Sequence, residues 1–341
     1  MHVPTFPPKR LYALAAVLAG VTAQVSAQTY TSFDADPHAT FPDRIDSSGR
    51  IVGTVFHTNQ TYGGFVRNTD GSIILINFPG ALETDWVGFA GSNQIAGRYS
   101  DSAYLDHGFL GPVSGPYTSF DVPGAKQTSP SAANSAGQIT GTWMDSAGTS
   151  HGFLRAANGT ITKFDVPGAA TTSPEDINTS GQIAGIITNS SGFLSGFIRS
   201  PTGAFTTFSL PAGTITGWLS MNDVGQIAGS YAGTNYVYHG FLRDTNGTLT
   251  SFDMPGTRTY VNDINLGGYL VGRYGSRTGL QRGFMRRPDG TTVSLEYPGA
   301  NQTTSTTDAD CINQNGLIAG HYQINTTTNT VTHGFLVTGV Q

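Results

Sequence analysis

One stretch of this chain occurs twice. HGFLRAANGTITKFDVPGA at residues 151–169 returns as HGFLRDTNGTLTSFDMPG at residues 239–256, and weaker copies lie before, between and after them. Self-similarity at a fixed spacing indicates a repeat architecture, in which each unit packs against the next one. The repeat therefore constrains the fold more than any other feature of the sequence.

Three short motifs recur in a fixed order. The first is an Asx-x-x-Gly-Gln-Ile-Ala-Gly run, as in NTSGQIAG at 178–185, and the second is a His-Gly-Phe run, as in HGFL at 151–154. The third is a Thr/Ser-x-Phe-Asp-x-Pro-Gly run, whose predicted anchor residues lie 42, 44, 44, 44 and 45 residues apart. These anchors are Phe78, Phe120, Phe164, Phe208, Phe252 and Tyr297.

Each motif predicts a piece of β-structure. An Asx at the start of a turn with a Gly three positions later is typical of a hairpin, and Pro-Gly after the Phe fits a type II turn. QIAG and GFLR cluster apolar residues over four to six positions, as half-buried strands do. Each unit is therefore predicted to contain four antiparallel strands: a before the Asx turn, b through QIAG, c through GFLR and d through TxFD.

Four strands in about 44 residues is the period of a propeller blade. Strands b and c occur seven times, but the chain stops at HGFLVTGVQ without a final strand d, whereas YTSFD at 30–34 duplicates YTSFD at 117–121. We predict an all-β fold, a seven-bladed β-propeller of four-stranded antiparallel blades, as a single domain over residues 28–341. The N-terminal strand is predicted to close the ring. The alternative is an open β-solenoid, which would not need this displaced strand.

Residues 1–27 have the pattern of a signal peptide. Lys9 and Arg10 precede the short apolar run LYALAAVLAGV, and VSA at 25–27 supplies small residues at the cleavage position. Eleven apolar residues are too few to cross a bilayer. We expect an exported protein, secreted into the extracellular space or the periplasm, without a membrane span.

Charge and cysteine content exclude two further classes. The formal net charge of −5 gives no electrostatic reason to bind nucleic acid. Cys311 is the only cysteine, so no intrachain disulfide can form. It occupies the place where other units have Asp176, Asp263 or Ser220, which indicates a packing role.

The combination of IN-x-x-GQ-[IL]-[AV]-G followed by H-[small]-F-[LI] resembles the HAF-family probable extracellular repeat proteins, which are named after a His-Ala-Phe tripeptide. The resemblance covers nearly the whole chain after residue 27, with His-Gly-Phe as the tripeptide. It implies bacterial export and a repeated β architecture. It implies no catalytic activity.

A repeated pair of residues is the candidate ligand-binding site. An aromatic residue stands two positions after the Gly of strand b, and a His or Arg starts strand c, so both flank the b–c loop. Aromatic rings stack on the apolar face of a sugar, and His or Arg bonds hydroxyls or carboxylates. The candidates are Tyr99, His107, Trp143, His151, Tyr231, His239, Tyr274, Arg282, Tyr322 and His333.

Structural roles are the alternative for the repeated polar residues. A His at a fixed strand position commonly satisfies a backbone carbonyl in the neighbouring blade. The Arg after GFL is interpreted as a solvated stem or a bridge between blades. These arginines are Arg67, Arg155, Arg199, Arg243 and Arg286.

No motif for catalysis, a cofactor or a metal is present. The sequence lacks a phosphate-binding loop, zinc-ligand spacing and a nucleophile elbow. The adjacent Glu175 and Asp176 are expected to point to opposite faces of a strand, which suits paired acid–base chemistry poorly. We therefore predict no catalytic residue, no cofactor and no metal site.

Two functions remain open. The first is a binding or scaffold protein, monomeric, with multivalent weak carbohydrate sites at the b–c loops; its partners are glycans or another envelope or extracellular protein. The second is a propeller hydrolase or lyase with one asymmetric site at the central channel. Convergence of the residues that break the repeat, with shifted pKa values, would favour the enzyme. These residues are Glu83, Asp85, Glu175, Arg258, Asp308 and His321.

Overall fold

The structure is a computed structural model that describes residues 28–210, 213–233, 237–256, 258–276, 279–298, 306–325 and 330–340. The predicted signal peptide lies outside the described residues. Within them the chain forms twenty-eight β-strands and no helix. Accordingly, the described part of the chain contains no helix long and apolar enough to span a membrane.

Pairing groups the strands into units of four, and the first strand belongs to the last unit. That strand is β1 (Thr29–Phe33). Units 1 and 2 contain β2 (Ala39–Ile45), β3 (Ile51–Phe56), β4 (Tyr62–Arg67), β5 (Ile73–Ile76), β6 (Glu83–Phe89), β7 (Gln94–Ser100), β8 (Asp106–Pro112) and β9 (Thr118–Phe120). Units 3 and 4 contain β10 (Gln127–Ala133), β11 (Ile139–Met144), β12 (Ser150–Arg155), β13 (Ile161–Phe164), β14 (Ala169–Ile177), β15 (Ile183–Asn189), β16 (Leu194–Arg199) and β17 (Phe205–Phe208). Units 5 and 6 contain β18 (Gly213–Met221), β19 (Ile227–Gly233), β20 (Tyr238–Arg243), β21 (Leu249–Phe252), β22 (Arg258–Ile264), β23 (Leu270–Gly275), β24 (Gln281–Arg286) and β25 (Thr292–Leu295). Unit 7 contains β26 (Thr307–Ile312), β27 (Ile318–Asn325) and β28 (Thr330–Thr338).

Within each unit the strands pair in the order a, b, c, d, all antiparallel. The N-terminal strand β1 takes place d of unit 7, because it runs antiparallel to β28 with Phe33 opposite Gly334. The YTSFD copy at 30–34 therefore lies where its sequence predicts. Single parallel bridges join Ala39 to Thr332 and Tyr238 to Arg258 across neighbouring units.

The pairing corrects two of the predicted anchors. In most units the Phe of strand d lies opposite the Gly of the His-Gly-Phe run. In units 1 and 6 that place belongs to Ile76 and Leu295, two residues before the predicted anchors Phe78 and Tyr297. The predicted anchors are wrong in these two units because an aliphatic residue lies opposite the Gly of strand c, and the aromatic residue follows two positions later.

The core lies between neighbouring units. One cluster, for example, joins Ala96 of unit 2 to Ile139 and Phe153 of unit 3. Within unit 2 the glycine of strand b makes room for the Phe of strand c: a Cβ at Gly97 would lie 2.4 Å from the carbonyl oxygen of Asp85 and 2.6 Å from the Phe109 ring. The Phe of strand c is fully buried throughout: Phe65, Phe109, Phe153, Phe197, Phe241, Phe284 and Phe335.

The Asn of the a–b turn links five of the seven units to the next one. Asn178 accepts the backbone N–H of Gln182, and Gly181 closes the hairpin with a φ of 82°. The Asn178 side-chain amide then donates to the backbone oxygen of Asn222 in the following unit. The same bond runs from Asn134 to Asn178, from Asn222 to Asn265, from Asn265 to Asn313 and from Asn313 to Asp46.

The Arg after GFL also bridges units, as one of the two interpretations of the sequence proposed. Its guanidinium carbon lies 4.7–5.3 Å from the ring centroid of the strand d Phe in the preceding unit. A cation over an aromatic face is attracted by the ring quadrupole. The pairs are Arg67–Phe33, Arg155–Phe120, Arg199–Phe164, Arg243–Phe208 and Arg286–Phe252.

Two interfaces replace this pair on both sides. Unit 2 has Gly111 in place of the Arg, and unit 1 has Ile76 in place of the Phe. Unit 7 likewise has Val337 against Leu295 of unit 6. There the downstream aromatic residues supply the contact: Phe78 stacks on Tyr99 and Tyr297 stacks on Tyr322, each with ring centroids 3.8 Å apart.

Candidate functional site

Four histidines at the start of strand c pair with the Asp that follows strand d. Each His Nδ1 lies 2.7–3.0 Å from a carboxylate oxygen of the same unit. The structural alternative is therefore wrong about the partner, which is a carboxylate within the unit and not a backbone carbonyl of the neighbouring one. The pairs are His107–Asp121, His151–Asp165, His239–Asp253 and His333–Asp34.

A second carboxylate from the b–c loop reaches two of these histidines. His107 Nε2 lies 3.5 Å from Asp101, and His151 Nε2 lies 3.4 Å from Asp145. Burial lowers the pKa of both imidazoles, but the carboxylates on either side outweigh it, so the pKa of each is raised. These rings are held at both nitrogens by their own unit.

Other units exchange both members of the pair together. Arg282 takes the His place in unit 6 and lies 3.2 Å from Glu296. In unit 4, Ser195 and Ser209 are hydrogen-bonded at 3.0 Å. In unit 1 the place belongs to Gly63, where a Cβ would lie 2.6 Å from His57 Nε2. Such matched replacement indicates that the two members satisfy each other.

The aromatic candidates are engaged in the same way. Tyr99, Tyr231 and Tyr322 stack on their histidines with centroids 5.0–5.1 Å apart, and Trp143 stacks on His151 at 4.5 Å. The tyrosine hydroxyls of four units bond a Ser of strand d, whereas in unit 3 Lys163 lies 4.2 Å above the Trp143 ring. The hydroxyl pairs are Tyr99–Ser119, Tyr231–Ser251, Tyr274–Ser294 and Tyr322–Ser32.

The structure thus brings the ten predicted ligand-binding residues together in pairs at the b–c loops, as expected. We call this set, with its Asp, Glu and Ser partners, the rim. Tyr231, Tyr274 and Tyr322 are only 9%, 8% and 5% exposed, so their rings offer little surface for stacking on a ligand. That the rim binds carbohydrate stays a prediction.

In five of the units a β-bulge in strand a aims its extra residue at one cavity. The pairing register slips around the extra residue, which re-aims its side chain. These side chains line a cavity of about 560 Å³ in which the strands a of all seven units meet. We call it the central cavity. The bulge residues in it are Asp43, Ser131, Glu175, Asn262 and Asp310.

The residue directly after the Gly of strand b bonds acidic side chains of the strands a in several units. Thr54 donates to Asp43 at 2.8 Å, and Arg98 pairs with Asp85 at 2.7 Å. Arg273 forms an ion pair with the buried Asp308. These contacts differ from unit to unit, whereas those of the rim repeat.

His321 holds the same position in unit 7. Its Nδ1 lies 2.7 Å from Asp310. Burial lowers the pKa of His321, but the attraction of Asp310 outweighs it and brings the pKa to about 9. Burial raises the pKa of Asp310 to about 6, although the charge of His321 opposes this shift.

Two carboxyl groups of the central cavity have no cation within ion-pair distance among the described residues. Asp43 has Thr54 as its hydroxyl partner, and Glu175 has Ser173 at 2.9 Å. Burial raises the pKa of Asp43 to about 7 and that of Glu175 to about 7, because a buried carboxylate loses its hydration. Both groups therefore titrate near neutral pH.

A second cavity, of about 700 Å³, lies where the a–b turns of all seven units meet. We call it the turn-side cavity. Asp176 and Asp263 line it, and Arg44 lines both cavities. The neighbours Glu175 and Asp176 thus face different cavities, in agreement with the opposite faces expected for them.

The repeat-breaking residues converge in part. Asp85 and Glu175 line the central cavity, while Asp308 and His321 adjoin it through Arg273 and Asp310. Glu83 and Arg258 stand at the first positions of β6 and β22 and do not line it. Arg258 instead lies 4.9 Å from the ring centroid of Tyr238.

Several residues that line the central cavity are not indicated by the repeated motifs, because they fall between them. The position after the strand b Gly varies from unit to unit while its neighbours repeat, and that variation is the signal which could have found Arg98 and Arg273. The bulge has no sequence signature of its own. The lining residues missed are Asp43, Arg44, Arg98, Asn262, Arg273 and Asp310.

One group of side chains has the spacing of metal ligands. Ligand atoms of Asp308, Asp310 and His321 lie within 4.8 Å of one another. Arg273 and Asn262 already bond the Asp308 oxygens, and His321 directs Nδ1 at Asp310. The donors are thus committed to an ion-pair network that a metal would have to break.

No protein-family model matches the chain. No curated protein matches it either. Among solved structures it is similar to the β-propeller domain of the Trilobed protease from Pyrococcus furiosus, with a TM-score of 0.64 and 9% identity over 88% of this chain and 95% of that one. It is also similar to puromycin hydrolase, with a TM-score of 0.58 and 11% identity over 91% of this chain, which spans about half (52%) of that protein. At these identities the likeness concerns the fold alone: the chain is a β-propeller.

Proposed function

We propose that this chain is a binding protein that takes one small hydroxyl-bearing ligand, of the carbohydrate class, into the central cavity. The observation that carries the proposal is the contrast between the two candidate regions. Rim residues pair with one another in matched sets, whereas Asp43 and Glu175 face the central cavity without a cation. Carboxyl groups that lack a cationic partner in a concave site are available to a ligand.

The lining of the central cavity suits a polyol. Carboxyls accept hydroxyl protons, the Asn262 amide oxygen accepts them as well, and guanidinium groups donate to hydroxyl oxygens. Thr142 adds a further hydroxyl, and the Ser131 hydroxyl, which donates to the Pro174 backbone oxygen at 2.7 Å, can accept a ligand proton. Each unit contributes a different group, so the site is asymmetric and distinguishes the ends of a ligand. Weak multivalent sites at the rim are a subsidiary part of the proposal.

In this proposal the seven units are the blades of a closed seven-bladed ring. Three contacts support closure between units 7 and 1: β1 pairs with β28, the Asn313 amide donates to the Asp46 oxygen, and Arg67 lies over Phe33. The last two are the contacts that join other neighbouring units. We further propose that the protein is exported, as the pattern of residues 1–27 predicts, and that it belongs with the HAF-type repeat proteins it resembles.

A direct test is sugar binding by paired variants. Asp43→Asn with Glu175→Gln should abolish the sugar-induced rise in melting temperature across a panel of mono- and disaccharides. His151→Ala with His239→Ala, a matched rim variant, should leave that rise unchanged. Loss of binding in the rim variant alone would move the site to the b–c loops. Absence of binding to any sugar would reject the carbohydrate class.

Hydrolysis is the second candidate function. The specific observation in its favour is that two carboxyls of one cavity, Asp43 and Glu175, both have a pKa of about 7. Such a pair suits general acid–base chemistry, since one can be protonated while the other is ionised. The test is release of reducing sugar from oligosaccharides: activity with a bell-shaped pH profile, lost in Asp43→Asn, would establish it, and no activity at any pH would reject it.

A further inference from the structure

Arg44 differs from the other cations that line the two cavities. Arg98 is paired with Asp85, Arg273 with Asp308 and Arg50 with Asp46. Arg44 lies within ion-pair distance of no carboxylate among the described residues. Its recorded hydrogen bond runs from Nη1 to the backbone oxygen of Asp43, at 3.1 Å.

The nearby carboxylates are turned towards other donors. Asp176 accepts the backbone N–H of Met221 in the next unit at 2.8 Å. Asp263 accepts the N–H of Ile312 at 2.9 Å and the Ser220 hydroxyl at 2.7 Å. These acids act on Arg44 through their field and not through contact. Apart from the bond to the Asp43 oxygen, the guanidinium donates to no described residue.

The guanidinium nevertheless stays charged. Burial lowers the pKa of Arg44, but the fields of Asp176 and Asp263 outweigh it, so the pKa is raised. A guanidinium has five N–H donors in a planar fork, and the one bond to Asp43 uses one of them. The remaining donors belong to a side chain that lines both cavities.

We propose that Arg44 binds a carboxylate of the ligand, so that the sugar taken into the central cavity is a uronic acid. This inference rests on the proposed function. A planar carboxylate matches the guanidinium fork with two parallel hydrogen bonds, which no single hydroxyl can do. Arg44 then anchors the acidic end of the sugar, while the other lining groups bond its hydroxyls.

The other charges of the cavity make this binding dependent on pH. Protonation of Asp43 and Glu175 removes two negative charges that repel an anion, so affinity for the uronate should rise as the pH falls from 8 to 6. Asp310, whose pKa is about 6, begins to lose its charge at the lower end of that range and acts in the same direction. The charged groups around Arg44 are Asp43, Asp46, Arg50, Asp85, Arg98, Glu175, Asp176, Asp223, Asp263, Arg273, Asp308, Asp310 and His321.

The experiment compares matched acidic and neutral sugars by calorimetric titration at pH 6 and pH 8. The probes are a galacturonic acid disaccharide and the corresponding galactose disaccharide. We expect the acidic sugar to bind about 10- to 100-fold more tightly than the neutral one at pH 6, which is the range for charge-assisted hydrogen bonds. Arg44→Gln should remove that preference while leaving weak binding of the neutral sugar.

Two further variants separate the inference from a general loss of structure. Arg44→Lys keeps the charge and loses the fork, so it should retain part of the preference. Arg50→Gln, in the turn-side cavity, should retain all of it. Equal binding of both sugars, unaffected by Arg44→Gln, would overturn the inference and leave the proposed function intact. Failure of both sugars to bind would overturn both.

Discussion

The rim and the central cavity use the same pair of residues, a His beside an Asp, in different surroundings. At the rim His151 lies 2.9 Å from Asp165, whose side chain is 56% exposed. In unit 7 His321 lies 2.7 Å from Asp310, and their side chains are 15% and 17% exposed. The rim pair recurs in four units, whereas the position of His321 holds a different residue in every neighbouring unit. Repetition thus marks contacts that build the unit, whereas the polar groups that differ between units line the central cavity.

The largest expected effect is a difference in the free energy of unfolding between variants of the two His–Asp pairs. His321→Ala leaves the Asp310 carboxylate buried without a cation and should lower the free energy of unfolding by about 3–5 kcal/mol at pH 7. His151→Ala removes an exposed pair and should cost less than about 1 kcal/mol. Urea unfolding of both variants measures the difference. Equal costs would show that the two regions are energetically alike.

The pH dependence of stability tests Asp43 and Glu175, the two cavity carboxyls that have no cationic partner among the described residues. The pKa of Asp43 and of Glu175 is about 7 in the folded state, above the ordinary value of 3.8 or 4.5 that holds when the chain is unfolded. The folded state therefore binds more protons between about pH 4 and pH 7, and stability is lost as the pH rises through that window. At pH 8, Asp43→Asn and Glu175→Gln should each stabilise the protein by about 1–3 kcal/mol.

The control for this prediction is a carboxylate at the rim. Asp253→Asn removes an exposed partner of His239 and should not stabilise the protein at pH 8. Parallel unfolding curves at pH 5 and pH 8 provide the comparison. If the two cavity variants change the free energy of unfolding no more than the rim variant at both pH values, ionising the buried carboxyls of the cavity does not destabilise the protein.

The bridge between β1 and unit 1 can be compared with an ordinary bridge between units. Arg67 lies over Phe33 and Arg155 over Phe120, both at 5.0 Å from the ring centroid. Arg67→Met and Arg155→Met should each lower the free energy of unfolding by about 1 kcal/mol. A cost for Arg155→Met with none for Arg67→Met would indicate that the N-terminal strand does not dock as the other strands d do.

The smallest expected effect concerns a rim hydroxyl. Tyr231→Phe removes the 3.0 Å hydrogen bond to Ser251 while keeping the ring on His239. The expected cost is about 0.5 kcal/mol, and sugar affinity should not change, because the hydroxyl serves the blade. A clear loss of sugar affinity at unchanged stability would place the rim in the binding site.

Repetition is what made the fold predictable. Seven copies of the b and c motifs fixed the strand order within a unit, and the displaced YTSFD copy located β1 beside β28. The misplaced anchors Phe78 and Tyr297 show the limit of this reasoning. In these two units an aliphatic residue stands in strand d where other units have Phe, and an aromatic residue follows two positions later. Residue type alone therefore cannot show which of the two positions belongs to the strand.

The candidate site was less predictable, for a related reason. Repeated motifs show what the units share, so shared polar residues such as His239 and Tyr231 become ligand-binding candidates, although each has a partner in its own unit. Asp43 and Arg44 share no motif with their equivalents. Their common location depends on a β-bulge and on the meeting of seven strands, which are properties of the folded chain.

The most direct measurement is a crystal structure of the protein soaked with a mixture of neutral, acidic and amino sugars. We expect one sugar in the central cavity, within hydrogen-bond distance of Asp43 and Glu175. If that sugar is acidic, its carboxylate should lie at Arg44. Sugars bound at the b–c loops, stacked on Trp143 or Tyr99 with the central cavity empty, would contradict it.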